Sequence, residues 1–141
     1  MAVIESNIST SSPAFAENRE GMLALLGRVH WTWISGNHDP APHTLGGVCR
    51  PDLERHSVRF VHEPQRAGGV HVAGHLHPAA LVAANGRAVR RPCFVTDGRL
   101  LILPAYGSGT GAMNILSPAF AGLFDWTRLE VTMIGRNRVY P

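Results

Sequence analysis

Val70-His71-Val72-Ala73-Gly74-His75-Leu76-His77-Pro78 is a β-branched run, stopped by glycine, that delivers two imidazoles before a proline. Trp31-Thr32-Trp33-Ile34-Ser35-Gly36-Asn37-His38-Asp39-Pro40 repeats the plan with an aromatic and β-branched run. Val58-Arg59-Phe60 alternates in the manner of a strand and reaches His62 two residues later. Each run predicts a short buried strand, because β-branched and aromatic side chains fit a pleated surface while glycine and proline end it. Loops just beyond the ends of buried strands converge at one edge of a sheet, where α/β sites form. The expectation is an α/β fold with His38, His62, His75 and His77 brought to one edge.

Working outward, Ser12-Pro13 predicts an N-cap with proline in the first turn. Phe15, Met22, Leu23, Leu25 and Leu26 give a helical stripe ending near Gly27. Residues 41–54 read as loop with at most a short helix. Residues 81–84 and 88–95 flank Asn85-Gly86, and Asp97-Gly98 precedes 100–103; both dipeptides predict type I′ hairpins. Residues 118–124 read as a short helix, and 129–134 pairs with 138–140 across a turn. With no internal repeat and no linker, residues 1–141 form one domain, of which 1–12 are expected to be disordered.

The balance of 45% hydrophobic and 16% charged residues is that of a globular chain rather than a disordered one. No apolar run approaches the ~20 residues that a spanning helix needs, and residues 1–12 lack a basic start followed by an apolar stretch. A cytoplasmic protein without membrane contact is therefore expected. Cys49 and Cys93 have no metal-ligand or redox spacing, which predicts two reduced, structural thiols. A net charge of +3, almost all of it from arginine, suits an anionic substrate without naming one.

Imidazole ligates zinc, manganese, iron and nickel, and the Asn37 amide adds a hard oxygen. A lone His-x-His is more often surface than ligand, and Gly-Asn-His-Asp alone reads equally well as a turn. Their occurrence together, each following a strand, favours a metal site.

These segments resemble the calcineurin-like metallophosphoesterase superfamily, in which Asp-x-His and Gly-Asp precede Gly-Asn-His-Asp/Glu, a separate histidine and Gly-His-x-His. Segments 31–42, 60–64, 73–79, 91–98 and 103–120 are similar to the bacterial phosphoesterases or endonucleases of the DNA-damage response that are associated with DNA ligase. The resemblance implies a four-layer α-β-β-α sandwich and hydrolysis of phosphodiesters or phosphomonoesters. It further implies two divalent ions (Mn, Fe or Zn), DNA as a substrate, and a DNA ligase and a helicase as partners in repair. By the same resemblance Asn37, His62 and His75 ligate one ion and His77 the other. His38 is the catalytic proton donor and Asp39 orients it. His43, close behind Asp39, is a weaker substrate-binding candidate.

The chain departs from that pattern upstream of Gly36, where Glu5, Glu17 and Glu20 are the only acids and neither Asp-x-His nor Gly-Asp occurs. The bridging aspartate and the other ligands of the first ion are missing. An N-terminally incomplete domain of impaired activity is the expectation; the alternative is a non-catalytic remnant that binds metal weakly or acts structurally. Arg87, Arg90, Arg91 and Arg99 read as a solvated strand face. Trp31 and Trp33 read as core rather than a base-stacking platform. Gly107-Ser108-Gly109-Thr110-Gly111 lacks the lysine of a phosphate loop and reads as a flexible loop at the site's edge.

Overall fold

A computed structural model of the chain describes residues 9–38, 46–66, 68–107 and 110–141. The Ser12 hydroxyl accepts from Phe15 N at 3.2 Å and Pro13 occupies the first turn, which starts helix α1 (Pro13–Leu26) where the sequence predicts it. Of the segment expected to be disordered, residues 9–12 form a turn closed by Ser12 N on Ser9 O, and residues 1–8 lie outside the described residues. The apolar stripe of α1 is only partly covered: the helix buries no side chain, Phe15, Leu23 and Leu26 are half-buried, and Met22 and Leu25 are more than half exposed.

Strand β1 (Thr32–Ile34) pairs in parallel with β2 (Val48–Arg50), and the two form a ladder by themselves. Strands β2 and β3 (Asp52–Arg55) replace the loop expected over residues 41–54. Neither has an apolar alternation of its own; each is a strand because a neighbour supplies the ladder, β1 for β2 and β4 for β3. The strand at residues 31–34 is not buried as expected: Trp33 and Ile34 are only partly covered and Trp31 and Thr32 are exposed. Trp31 and Trp33 accordingly leave the core and stack on one another, with centroids 5.2 Å apart and planes 14° from parallel. Their indole N–H groups donate to Leu26 O and Gly46 O, each at 2.8 Å.

The second sheet contains β3, β4 (Val58–Val61), β5 (Val70–Ala73), β6 (Pro78–Ala84), β7 (Arg87–Thr96), β8 (Leu100–Ile102), β9 (Met113–Asn114), β10 (Glu130–Ile134) and β11 (Val139–Tyr140). Its order is β11-β10-β7-β8-β5-β4-β3, with β6 on the first half of β7 and β9 beside β6. Strands β4, β5 and β8 run parallel at its centre, so they end at a common edge. The fold is a mixed α/β one dominated by sheet.

Asn85 and Gly86, with φ of 51° and 72°, form the two-residue left-handed turn expected between β6 and β7. Asp97-Gly98 does not: only Gly98 has positive φ, and a type I′ turn requires it at both central positions. There the Asp97 carboxylate closes the turn instead, accepting from Arg99 N and Leu100 N at 2.9 Å each. The helix expected over residues 118–124 shrinks to a 3-10 turn at Pro118–Phe120, which buries Phe120 completely. Around it gather Val61, Ala73, Cys93, Val95, Leu100, Ile102 and Phe124, the core of the sheet. Both cysteines are free, and burial pushes the Cys93 thiol up to about 11. Among the described residues no helix is long and apolar enough to cross a membrane.

Candidate metal centre

Strands β4 and β5 are registered Val61 to Ala73, so the next residues, His62 and Gly74, stand side by side at the sheet edge. Gly74 N donates to His62 O at 3.0 Å and fixes the two loops together. Leu76 N then donates back to Gly74 O at 2.8 Å, a three-residue γ-turn centred on His75. His75 and His77 have φ of 64° and 47°, in the left-handed region that residues with a Cβ seldom occupy. A continued strand would send these two side chains to opposite faces; the left-handed turns redirect them. Backbone held in such a state at a histidine pair marks a place where side-chain position outranks local comfort.

The result is a contact of three donor atoms. His75 Nδ1 lies 3.0 Å from His62 Nε2, and His62 Nε2 lies 2.6 Å from Asn37 Oδ1. The imidazoles meet edge to face with centroids 4.9 Å apart. Asn37 reaches them because Gly36 precedes it: a Cβ at residue 36 would fall 2.6 Å from His62 Nδ1. Glycine at that position is thus required by the His62 ring.

Asn37 Oδ1 only accepts, and neutral imidazole nitrogens carry one hydrogen per ring. Three lone-pair atoms therefore converge with at most one or two protons to separate them, an arrangement that a cation relieves. Two donors each about 2.1 Å from a common ion and at right angles lie about 3.0 Å apart, so the spacing suits one ion. The donor chemistry, two imidazoles and an amide oxygen, fits Zn, Mn or Fe. Among the described residues no group of three or more His, Cys, Asp and Glu side chains is set to hold an ion, and Asn37 is needed to complete the trio. A second ion finds no such set among the described residues.

Burial pushes the His62 imidazole below its usual pKa, and the neighbouring His75 pushes further in the same direction. Glu63 opposes the shift, while the charges of His38 and His77 add to it. Neutral imidazole is the form that binds metal. Glu63, unremarked in the sequence, has its Oε1 3.9 Å from His75 Nε2, the ring nitrogen facing away from the trio. At that distance the carboxylate lies beside the ring without a hydrogen bond to it. Its signal was its place directly after His62. The expected orienting residue Asp39 and the substrate-binding candidate His43 lie outside the described residues.

The crystal structure of the Pseudomonas putida nuclease MPE is similar to this chain, with 28% sequence identity and a TM-score of 0.64. The chain has a nuclease-like fold. The match covers 92% of this chain but 62% of the nuclease, so the chain spans less than two thirds of that protein's length. No family model and no curated protein matches the chain.

Proposed function

We propose that this chain carries part of a metal-dependent phosphoesterase site, acting on phosphodiesters with DNA as the favoured substrate. The observation that carries the reading is the contact of Asn37, His62 and His75 at a single sheet edge. The likeness to a nuclease supports it. On this reading β1, β2 and the larger sheet belong to the two central layers of an α-β-β-α sandwich.

Asn37, His62 and His75 would hold one divalent ion, and His77 would be a donor for a second. Bound there, such ions supply charge to a phosphoryl group and acidify a water. The chain's own residues act around that centre. Glu63, beside the outer nitrogen of His75, would steady that ring, and the left-handed backbone at His75 and His77 would keep the pair from the alternation of a regular strand. His38, whose charge acts on His62, would give a proton to a leaving oxygen, a step worth typically ~10²–10⁴ in rate. The ligand trio is entirely neutral and offsets none of an ion's charge, so weak binding and slow turnover are expected of this chain alone.

That neutrality favours a second reading, a non-catalytic metal-binding module. One experiment separates the two: Mn²⁺ binding and hydrolysis of a chromogenic phosphodiester, measured on the purified chain and on His75→Ala. Metal-dependent turnover that disappears in the variant supports the phosphoesterase. Mn²⁺ binding that His75→Ala abolishes, with no turnover at any metal concentration, supports the module. Binding indifferent to both His62→Ala and His75→Ala overturns both.

A further inference from the structure

Strands β5 and β8 have a second end. Opposite the histidine cluster, where β5 begins and the Asp97 turn leads into β8, lies a polar cavity of about 370 Å³. Arg66, Arg99 and Arg128 line it, each from a different segment. The Arg66 guanidinium donates to Ala121 O at 2.7 Å and occupies the space that a side chain at Gly122 would need. Arg128 reaches over Gly98, its Nη2 3.3 Å from where a Cβ would stand, at a residue whose φ is +84°. Glycines at 98 and 122 therefore leave room for two guanidinium groups.

Two carboxylates share the cavity and do not neutralise it by contact. Asp97 accepts from the backbone N–H groups of Arg99, Leu100 and Asp125, and Asp125 accepts from Thr127 N and Oγ1. Among the described residues, none of the three arginines forms an ion pair. His71 completes the wall, only 3% exposed. Its Nδ1 lies 3.1 Å from Gly69 O, so Nδ1 carries the hydrogen and donates. Nε2, which then carries a lone pair, is left without a partner among the described residues; a buried acceptor in that condition calls for a hydrogen-bond donor, which the P–OH of a monoprotonated phosphate group supplies.

We propose that this cavity is a phosphate-binding site, separate from the histidine cluster, formed by Arg66, Arg99, Arg128 and His71. Guanidinium forks match the oxygens of a phosphate, and three approaching from three segments suit a tetrahedral anion. A planar carboxylate would be satisfied by one of them. The cavity exceeds what a bare phosphate fills, which favours a phosphomonoester on a small organic body.

The test is calorimetric titration at low ionic strength with EDTA present, so that no metal at the histidine cluster contributes. The probes are inorganic phosphate and 2′-deoxyadenosine 5′-monophosphate. Saturable binding is expected, weakened about tenfold or more by the double variant Arg99→Gln/Arg128→Gln and unchanged by His62→Ala. Both arginines are exposed, so the double variant keeps the core. Tighter binding of the nucleotide identifies an organic phosphomonoester as the ligand, and equal binding identifies free phosphate. Lack of saturation by both probes up to about 10 mM, binding that survives the double variant, or binding lost in His62→Ala overturns the proposal.

Discussion

The larger sheet buries Phe120, Ile102 and Cys93 completely, whereas among the described residues of segment 13–50 no side chain is buried. Yet the trio of donor atoms draws on both regions, with His62 and His75 from the sheet and Asn37 from the segment. Apolar patterning does not explain the difference, because Phe15, Met22 and Leu25 on α1 are as apolar as the strands of the sheet. What differs is supply of partners. Strand β5 has β4 on one side and β8 on the other, while among the described residues β1 pairs with β2 alone and α1 buries no side chain. A hydrophobic stripe contributes stability only in proportion to the area a neighbour removes from water.

The comparison is sharpened most by Phe120→Ala, which should lower unfolding free energy in urea by about 3–5 kcal/mol. A loss below about 1 kcal/mol would show that the sheet is no better packed than the segment. Asp97→Ala removes the acceptor of three backbone N–H groups at a partly buried turn. A cost of about 2–4 kcal/mol is expected by the same measurement. Gly36→Ala should act on the junction between the regions rather than on either one. It drives a methyl group into the His62 ring, so Zn²⁺ affinity should fall about tenfold while the urea midpoint stays near that of the parent chain.

A pH titration gives a smaller effect. The folded chain holds the His62 proton less tightly than the unfolded chain does, because burial and the neighbouring His75 lower its pKa from 6.5. Stability is therefore unaffected by this group above 6.5 and declines as the pH falls below it. Circular-dichroism melts at about pH 8 and pH 5 should show that decline reduced in His62→Asn. The smallest change belongs to Leu25→Ala on α1, within about 0.5 kcal/mol. A larger loss would mean that α1 is packed in solution, and the contrast between the regions would fail.

How legible these features were depended on whether their cause was local. Strands β4 and β5 and the turn at Asn85-Gly86 could be read because β-branched runs, glycine stops and left-handed dipeptides act within a few residues. Strands β2 and β3 could not, since Val48-Cys49-Arg50 and Asp52-Leu53-Glu54-Arg55 become strands through partners elsewhere in the chain. Burial of the tryptophans was misread for a related reason: an aromatic run predicts burial only if a second layer exists to provide it. At the site, the residue types and their strand-end placement were visible. The left-handed backbone of His75 and His77 was not, because histidine rarely adopts it and nothing local announces it. The cavity with Arg66 and His71 was hidden too, since its arginines come from segments far apart in sequence and Arg99 read as ordinary surface.

Strand β7 crosses from one ladder to another, with residues up to Pro92 paired to β6 and residues from Cys93 onward paired to β10 and β8. Proline at the changeover has no N–H to offer a ladder. A pull on the Asn85-Gly86 tip would travel along this single covalent strand into the buried half of the sheet. The hairpin should therefore not detach as an independent unit; loosening it and melting the core should register as one cooperative event, with the same midpoint whichever end carries the probe.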